Sequence, residues 1–230
     1  MKKWVIALLL GAMATPAWAG DADDFVLGLY RLERCGFMSG SDYARSDRAD
    51  ICRDMLEETE EHLEVLAENQ DAEMMDSVRD DWEFLRDVYD QALADPYMFR
   101  NHYTVDDIRR SRIAITETLS ELLPTPPNPI ALAVHVERMG AEYIWRAESA
   151  MGAGMSSTEV LDIEEMVQEA DRQFAQLREK HPDDYSLRSA EAKYKFIRGS
   201  LLNYNVDMVP YLVDRYATAI VESLQVMNRM

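Results

Sequence analysis

Apolar residues recur every three or four positions along most of the chain. One series runs from Met75 to Ala92, and a second runs from Val160 to Leu177. This spacing places the apolar side chains of each series on one face of an α-helix. No run of alternating apolar and polar residues is long enough to indicate a β-strand. The pattern therefore predicts an all-α fold, an antiparallel helical bundle.

Local sequence signals predict where helices begin. Thr104 with Asp107 and Ser156 with Glu159 both resemble the capping box, in which two side chains satisfy backbone groups at a helix start. Pro210 suits the first turn of a helix, where a proline costs no hydrogen bond.

The two halves of the chain resemble each other on either side of a proline-rich interruption, Pro124–Pro129. Glu33–Gly36 matches Glu137–Gly140, and Trp82–Arg86 matches Tyr194–Arg198, in the same order. Matches that keep their order predict an internal duplication with four helices in each unit. Coincidence of helical patterns is the alternative.

The predicted organisation is a signal peptide at residues 1–19, a first helical unit at 20–123 and a second at 124–230, the two units forming one compact domain. Lys2 and Lys3 precede an apolar stretch, and Ala17-Trp18-Ala19 forms a small-x-small cleavage site. We expect cleavage after Ala19 and a periplasmic or secreted location.

Charge narrows the classes of partner. The 230-residue chain has a formal net charge of −19, and loss of the lysine-containing leader makes it more negative. Nucleic acids and anionic membrane surfaces both require a basic surface. No later apolar run approaches the roughly 20 residues that span a bilayer, so we expect no nucleic-acid binding and no membrane insertion after signal removal.

Cys35 and Cys52 are the two cysteines of the chain. An even number in an exported protein predicts a disulfide, and their separation excludes CxxC redox or metal spacing. In the repeat alignment Met139 and Ile163 occupy the equivalent positions, so we expect these two residues to meet in the core. The alternative is a bridge that only fastens a loose first helix.

Several chemistry-bearing residue types have an ordinary structural interpretation. Ten acids and no Lys or Arg lie from Asp54 to Asp76. They predict a solvated helix face, with weak attraction of a divalent cation or of a basic partner as the alternative. The four histidines lack metal-site spacing, and the methionines fit core packing better than Cu(I) binding. The sequence therefore predicts no metal site and no cofactor, and a metal- or heme-binding bundle using Met and His is the alternative function.

Enzyme motifs do not occur in the sequence: there is no GxSxG and no glycine-rich phosphate loop. We therefore expect a protein without catalytic residues. The candidate ligand-binding residues are Arg34 and Arg138, each of which follows a glutamate on the first helix of its unit. A guanidinium binds planar anions through two hydrogen bonds, and an internal salt bridge is the alternative role.

These motifs resemble the PilJ-type periplasmic helical sensor domain of pilus chemotaxis transducers and nitrate sensor kinases. The resemblance rests on two copies of short motifs: Arg138-Met139 and Arg34-Cys35 on the first helices, Leu63/Leu66 and Phe174/Leu177 on the second, and Trp82 on the third. Cys35 and Tyr194 stand where the family has Met and Trp. The resemblance implies a helical sensor-like protein that acts through a separate output partner. We expect an accessory protein that binds a small anion or a protein partner.

Overall fold

The computed structural model describes residues 19–41, 44, 46–123, 125–150, 161–204, 206 and 208–228. The proposed leader up to Trp18 and the Ser156/Glu159 capping box lie outside these residues. Within them the chain forms helices and no strand, which confirms the all-α prediction. No helix of the described residues is long and apolar enough to cross a membrane.

Eight α-helices and one short 3-10 helix account for the described structure. Their bounds are α1 Ala19–Ser39, α2 Arg48–Ala67, α3 Ala72–Ala94, the 3-10 helix Pro96–Arg100, α4 His102–Thr118, α5 Pro129–Ala150, α6 Ile163–Lys180, α7 Tyr185–Leu202 and α8 Pro210–Asn228. Acidic side chains cap helices that follow short connections, as Asp71 does for α3 and Asp184 for α7.

Of the predicted helix starts that lie within the described residues, one is confirmed and one is wrong. Pro210 is the first residue of α8, as predicted. The Thr104/Asp107 capping box is wrong, because α4 begins two residues earlier at His102 and the side chain of Asn101 accepts a hydrogen bond from the backbone N–H of Tyr103. Thr104 therefore lies inside the helix, where the amide it was expected to cap already has an intrahelical partner.

Two hydrophobic clusters form the core. One consists of residues from α1 to α4 with the 3-10 helix, and the other consists mainly of residues from α5 to α8. The apolar positions predicted to be core residues are buried: Trp82, Leu85, Phe174, Leu177, Tyr194 and Ile197. The antiparallel organisation in two units and the duplication of the sequence stay predictions.

Helices α1 and α5 pack against each other at the centre, and a glycine allows part of this close approach. A Cβ atom added to Gly140 of α5 would lie 2.9 Å from Cδ of Arg34 on α1. Real Cβ contacts are longer than this, so a larger residue would displace the Arg34 side chain. Gly140 thus leaves room for a buried arginine between the two halves.

The disulfide joins Cys35 of α1 to Cys52 of α2, with Cα atoms 5.7 Å apart. Both cysteines are buried, and the bridge confirms the predicted pairing. Their repeat-equivalent residues Met139 and Ile163 are both buried in the second hydrophobic cluster. The bridge therefore fixes the packing of α1 on α2 within the core.

Candidate functional site

Arg34 lies in a buried ion-pair network that joins the two halves. Its Nε donates to Glu137 Oε2 at 2.5 Å, and its terminal nitrogens donate to the Asp214 carboxylate, the Asp214 carbonyl and Thr218 Oγ1. The guanidinium and both carboxylates are almost completely buried. Glu137 and Asp214 hold the pKa of Arg34 well above its ordinary value although burial acts in the opposite direction.

Two further arginines share the acids of this network. Arg48 of α2 donates to both oxygens of Asp214, at 2.7 and 2.9 Å. Arg31 of α1 lies 3.5 Å from Glu137 and also donates to Gln225. The network therefore links α1 and α2 to α5 and α8.

A second buried network surrounds Glu33, the residue before Arg34. Glu33 accepts hydrogen bonds from Arg109 at 3.3 Å and from Arg112, both on α4. Arg109 also donates to Glu142 of α5 at 2.9 Å, and its guanidinium lies 4.4 Å from the ring centroid of Trp145. This geometry combines charge-assisted hydrogen bonds with a cation–π contact.

These networks bear on the two roles predicted for Arg34. Its donors point at carboxylates, a carbonyl and a hydroxyl, which is the arrangement expected for an internal salt bridge. Anion binding by Arg34 stays a prediction. A buried pair of this kind fixes the relative position of elements more than it adds stability.

Arg138 lies in a different environment, on the wall of a cavity of about 220 Å³. The cavity is bounded by α1, α5, α6 and the segment after α4. Its polar lining consists of Asp23, Tyr30, His135, Arg138 and Gln173. Its apolar lining consists of Val26, Leu123, Pro126, Ala131 and Val134. We call this the Arg138 cavity.

Two buried oxygen atoms on the wall of the Arg138 cavity have no hydrogen-bond donor among the described residues: Asp23 Oδ1 and Gln173 Oε1. The amide nitrogen of Gln173 is engaged, since it donates to Glu169 Oε1 at 2.8 Å. Burial, reinforced by the neighbouring charge of Asp24, raises the pKa of Asp23 to about 7. An unpaired buried acceptor costs about 1–3 kcal/mol, so both oxygens favour a ligand that donates hydrogen bonds.

His135 contributes a neutral imidazole to the same wall. Its Nε2 donates to the Met166 carbonyl at 2.8 Å, because a carbonyl oxygen can only accept. Burial and the nearby charge of Arg138 lower the pKa of His135, against the opposing effects of this hydrogen bond and of Glu169. Arg138 is therefore the cation of the cavity at neutral pH.

The sequence analysis did not identify Asp23 and Gln173 as candidate site residues, although the sequence marks both as polar residues at core positions of a helix. Gln173 lies on the apolar stripe of α6, three residues after Ala170 and four before Leu177, and it is 3% exposed. Asp23 of α1 likewise lies at helical spacing from buried residues, three positions before Val26 and four before Leu27. A polar residue at a core position of an amphipathic helix must find a partner or pay for desolvation. Such positions are candidate ligand contacts.

The acidic face agrees with its ordinary interpretation. Glu57, Glu61 and Glu64 are exposed, and Glu60 is half-buried and forms an ion pair with Arg86. Among the described residues no group of three or more His, Cys, Asp or Glu side chains is arranged to hold a metal ion. The metal- or heme-binding alternative stays a prediction.

Comparison with known proteins gives no further assignment. No protein-family model, no curated protein and no solved structure matches the chain. The resemblance to the PilJ-type sensor domain therefore stays a prediction that rests on its short motifs.

Proposed function

We propose that this protein is an exported, non-enzymatic binding protein that takes up a small molecule in the Arg138 cavity, as a sensor-like or accessory component. One observation carries the proposal. The cavity combines an apolar wall with a guanidinium and with a buried carboxyl whose pKa is raised to about 7. Cavities with mostly apolar walls and a few convergent polar groups are typical of small-molecule sites.

The position of the cavity supports a sensing role. Arg138 follows Glu137 on α5, and Glu137 forms the ion pair with Arg34 of α1. Asp23 lies on α1 itself, so a ligand that contacts Arg138 and Asp23 bridges the same two helices as the buried ion pair. Binding energy would therefore act on the packing of the two halves.

Export is supported by two independent features. The leader has the charge and apolar pattern of a signal peptide. The Cys35–Cys52 disulfide is of a kind that persists in oxidising compartments. A binding protein in such a compartment would meet small molecules before they enter the cell.

Thermal unfolding in the presence of small anions, amines, amino acids and other metabolites tests the proposal. A ligand that binds only the folded state raises the melting temperature by mass action. We expect at least one compound to do so and Ala131→Trp, which fills the cavity, to abolish its effect. The matched control is Ala175→Trp, because Ala175 is exposed on α6 away from the lining.

Two results would contradict the proposal. One is that no compound shifts the melting temperature of the purified protein. The other is that the shifts survive Ala131→Trp while the variant remains folded by circular dichroism, because the compound then binds at another place.

A further inference from the structure

We infer that the Arg138 cavity takes a primary amine with a branched aliphatic or aromatic body, whose ammonium group donates hydrogen bonds to Oδ1 of Asp23 and Oε1 of Gln173. This inference rests on the proposed function and assigns the chemical class of its ligand. It follows from the buried acceptors, the apolar wall and the volume of the cavity.

The two buried acceptors come from different helices and line the same cavity. Asp23 of α1 is 7% exposed and Gln173 of α6 is 3% exposed, and both belong to the cavity wall. The Nε2 group of Gln173 donates to Glu169, which orients the amide so that Oε1 is left to accept. Neither Oδ1 of Asp23 nor Oε1 of Gln173 has a hydrogen-bond donor among the described residues. A ligand that enters the cavity must therefore supply donors or leave both atoms buried and unpaired.

His135 adds a third acceptor to the residues of this wall. Its Nε2 carries the proton that is donated to the Met166 carbonyl at 2.8 Å. A neutral imidazole has one ring proton, so Nδ1 holds a lone pair. The neutral form is favoured because burial lowers the pKa of His135. Three residues of the wall, one each from α1, α5 and α6, therefore carry acceptors.

An ammonium group is the complement of a wall that carries acceptors. It has three donors and no acceptor, so it can satisfy both buried oxygens without introducing an unpaired atom of its own. A hydroxyl group has one donor and two lone pairs, so it can donate to only one of the two oxygens. Hydrogen bonds from a charged donor are also about twice as strong as those between neutral groups.

The acidic surroundings favour a cation. Asp23 and Asp24 are neighbouring acids, and the repulsion between them contributes, after burial, to the raised pKa of Asp23. A cation beside Asp23 would offset this repulsion, and the formal net charge of −19 attracts cations to the protein as a whole. The charge of Arg138 acts in the opposite direction. Arg138 has an interaction of its own within the protein, and we assign it no contact with the ligand.

The apolar wall and the volume select the body of the amine. Val26, Ala131 and Val134 line the cavity. The cavity volume of about 220 Å³ exceeds that of the engineered cavity of about 150 Å³ that holds benzene. A branched aliphatic or aromatic group therefore matches this size and polarity, whereas a metal ion would leave the apolar wall without a contact.

Isothermal titration calorimetry on the mature protein at pH 8 tests the inference. The probes are benzylamine, phenethylamine and isopentylamine, each with the alcohol and the trimethylammonium derivative of the same skeleton. The alcohol keeps one donor and loses the charge, and the trimethylammonium derivative keeps the charge and loses every donor. We expect at least one amine to bind, and both of its derivatives to bind about 10- to 100-fold more weakly.

Two variants test the contacts of the ammonium group. Asp23→Asn removes the charge of the carboxyl group and should remove most of the preference for the amine over its alcohol. Gln173→Met removes the second acceptor and should weaken binding of the amine about 10-fold, while binding of the trimethylammonium derivative stays unchanged. Asp54→Asn and Gln176→Met are the matched controls, because Asp54 and Gln176 are exposed on α2 and α6 away from the lining, and both should leave all affinities unchanged. Circular dichroism establishes that each variant is folded.

The outcomes separate this inference from the proposed function. If other compounds bind in a manner that Ala131→Trp abolishes while no amine binds, the inference is wrong and the proposed function stands. If an alcohol or a trimethylammonium derivative binds wild-type protein as tightly as its amine, the inference is wrong, and this comparison needs no variant to fold. If folded Asp23→Asn and Gln173→Met bind the amine as the wild type does, the assigned contacts are wrong. If no compound of any class binds, both fail.

Discussion

Replacing Arg34 with Met removes the guanidinium between the two halves and keeps a side chain of similar length. Five hydrogen bonds disappear with it: two to Glu137, one to the Asp214 carboxylate, one to the Asp214 carbonyl and one to Thr218. Asp214 keeps two hydrogen bonds from Arg48. Of the ion pairs described for Glu137, only the one with Arg31 remains, and its Nε lies 3.5 Å from Oε1 of Glu137.

The magnitude follows from the burial of Glu137, which is 0% exposed. Removing one partner of a buried ion pair costs about 3–5 kcal/mol, because the other charge stays desolvated. We expect Arg34→Met to lower the free energy of unfolding by that amount. For a chain of this size the melting temperature should fall by about 10 °C.

Urea denaturation followed by circular dichroism at 222 nm measures the effect. Arg215→Met is the control, because Arg215 is the exposed neighbour of Asp214. The double variant Arg34→Met/Glu137→Leu replaces both charges by apolar groups, and it should be more stable than the sum of the two single changes predicts, by about 2 kcal/mol or more.

Two results would refute this reasoning. A loss below about 1 kcal/mol for Arg34→Met would mean that Glu137 is solvated or finds another cation. Additive effects in the double-mutant cycle would mean that the two side chains do not interact in solution.

Three further predictions concern the cavity, the core and the disulfide. The folded-state pKa of Asp23 is raised from 3.8 to about 7, so the free energy of unfolding of the wild type should fall as pH rises from 4 to 8, by at most about 4 kcal/mol from this group. In urea denaturation at several pH values, Asp23→Asn should remove that loss, and a variant with the same pH profile as the wild type would contradict the prediction. Phe174→Ala should cost about 3–5 kcal/mol, because Phe174 is 2% exposed and stacks on Tyr194 at 4.9 Å; a negligible shift in melting temperature would show that the side chain is not packed. Reduction of Cys35–Cys52 should cost about 3 kcal/mol, and a thiol assay on unreduced, unfolded protein should find no free thiol; two reactive thiols would contradict the bridge.

Local pattern was sufficient for the helices, much of the core and the disulfide. Apolar spacing along α3 and α6 identified Trp82 and Phe174 as core residues, and the match between the two halves added Tyr194. All three are buried. This works because the helical period alone decides which side chains share a face. The first residue of α4 could not be predicted in this way. Asn101 and Thr104 are both residue types that cap helices, and which of them does so depends on the direction in which the chain leaves the 3-10 helix.

The two arginines show what sequence alone did not determine. Arg34 and Arg138 occur in the same local context, Glu-Arg followed by an apolar residue and Gly, which gives no basis for assigning them different roles. Tertiary packing separates them. Arg34 meets Asp214 of α8. The last helices of the two halves also align, Arg110 with Arg215, and this alignment places Arg109 of α4 at the position equivalent to Asp214. Arg109 carries the opposite charge and pairs with Glu33 and Glu142.

Periodicity therefore determined which residues face inward, and the tertiary structure decided which inward-facing charges neutralise one another. An ion pair depends on side chains that are distant in sequence, such as Arg34 and Asp214, and its strength depends on how completely both are removed from water. The same holds for the cavity, where Asp23, Arg138 and Gln173 come from three helices. A helical pattern specifies the face of each residue but not the charge that the neighbouring helix presents to it.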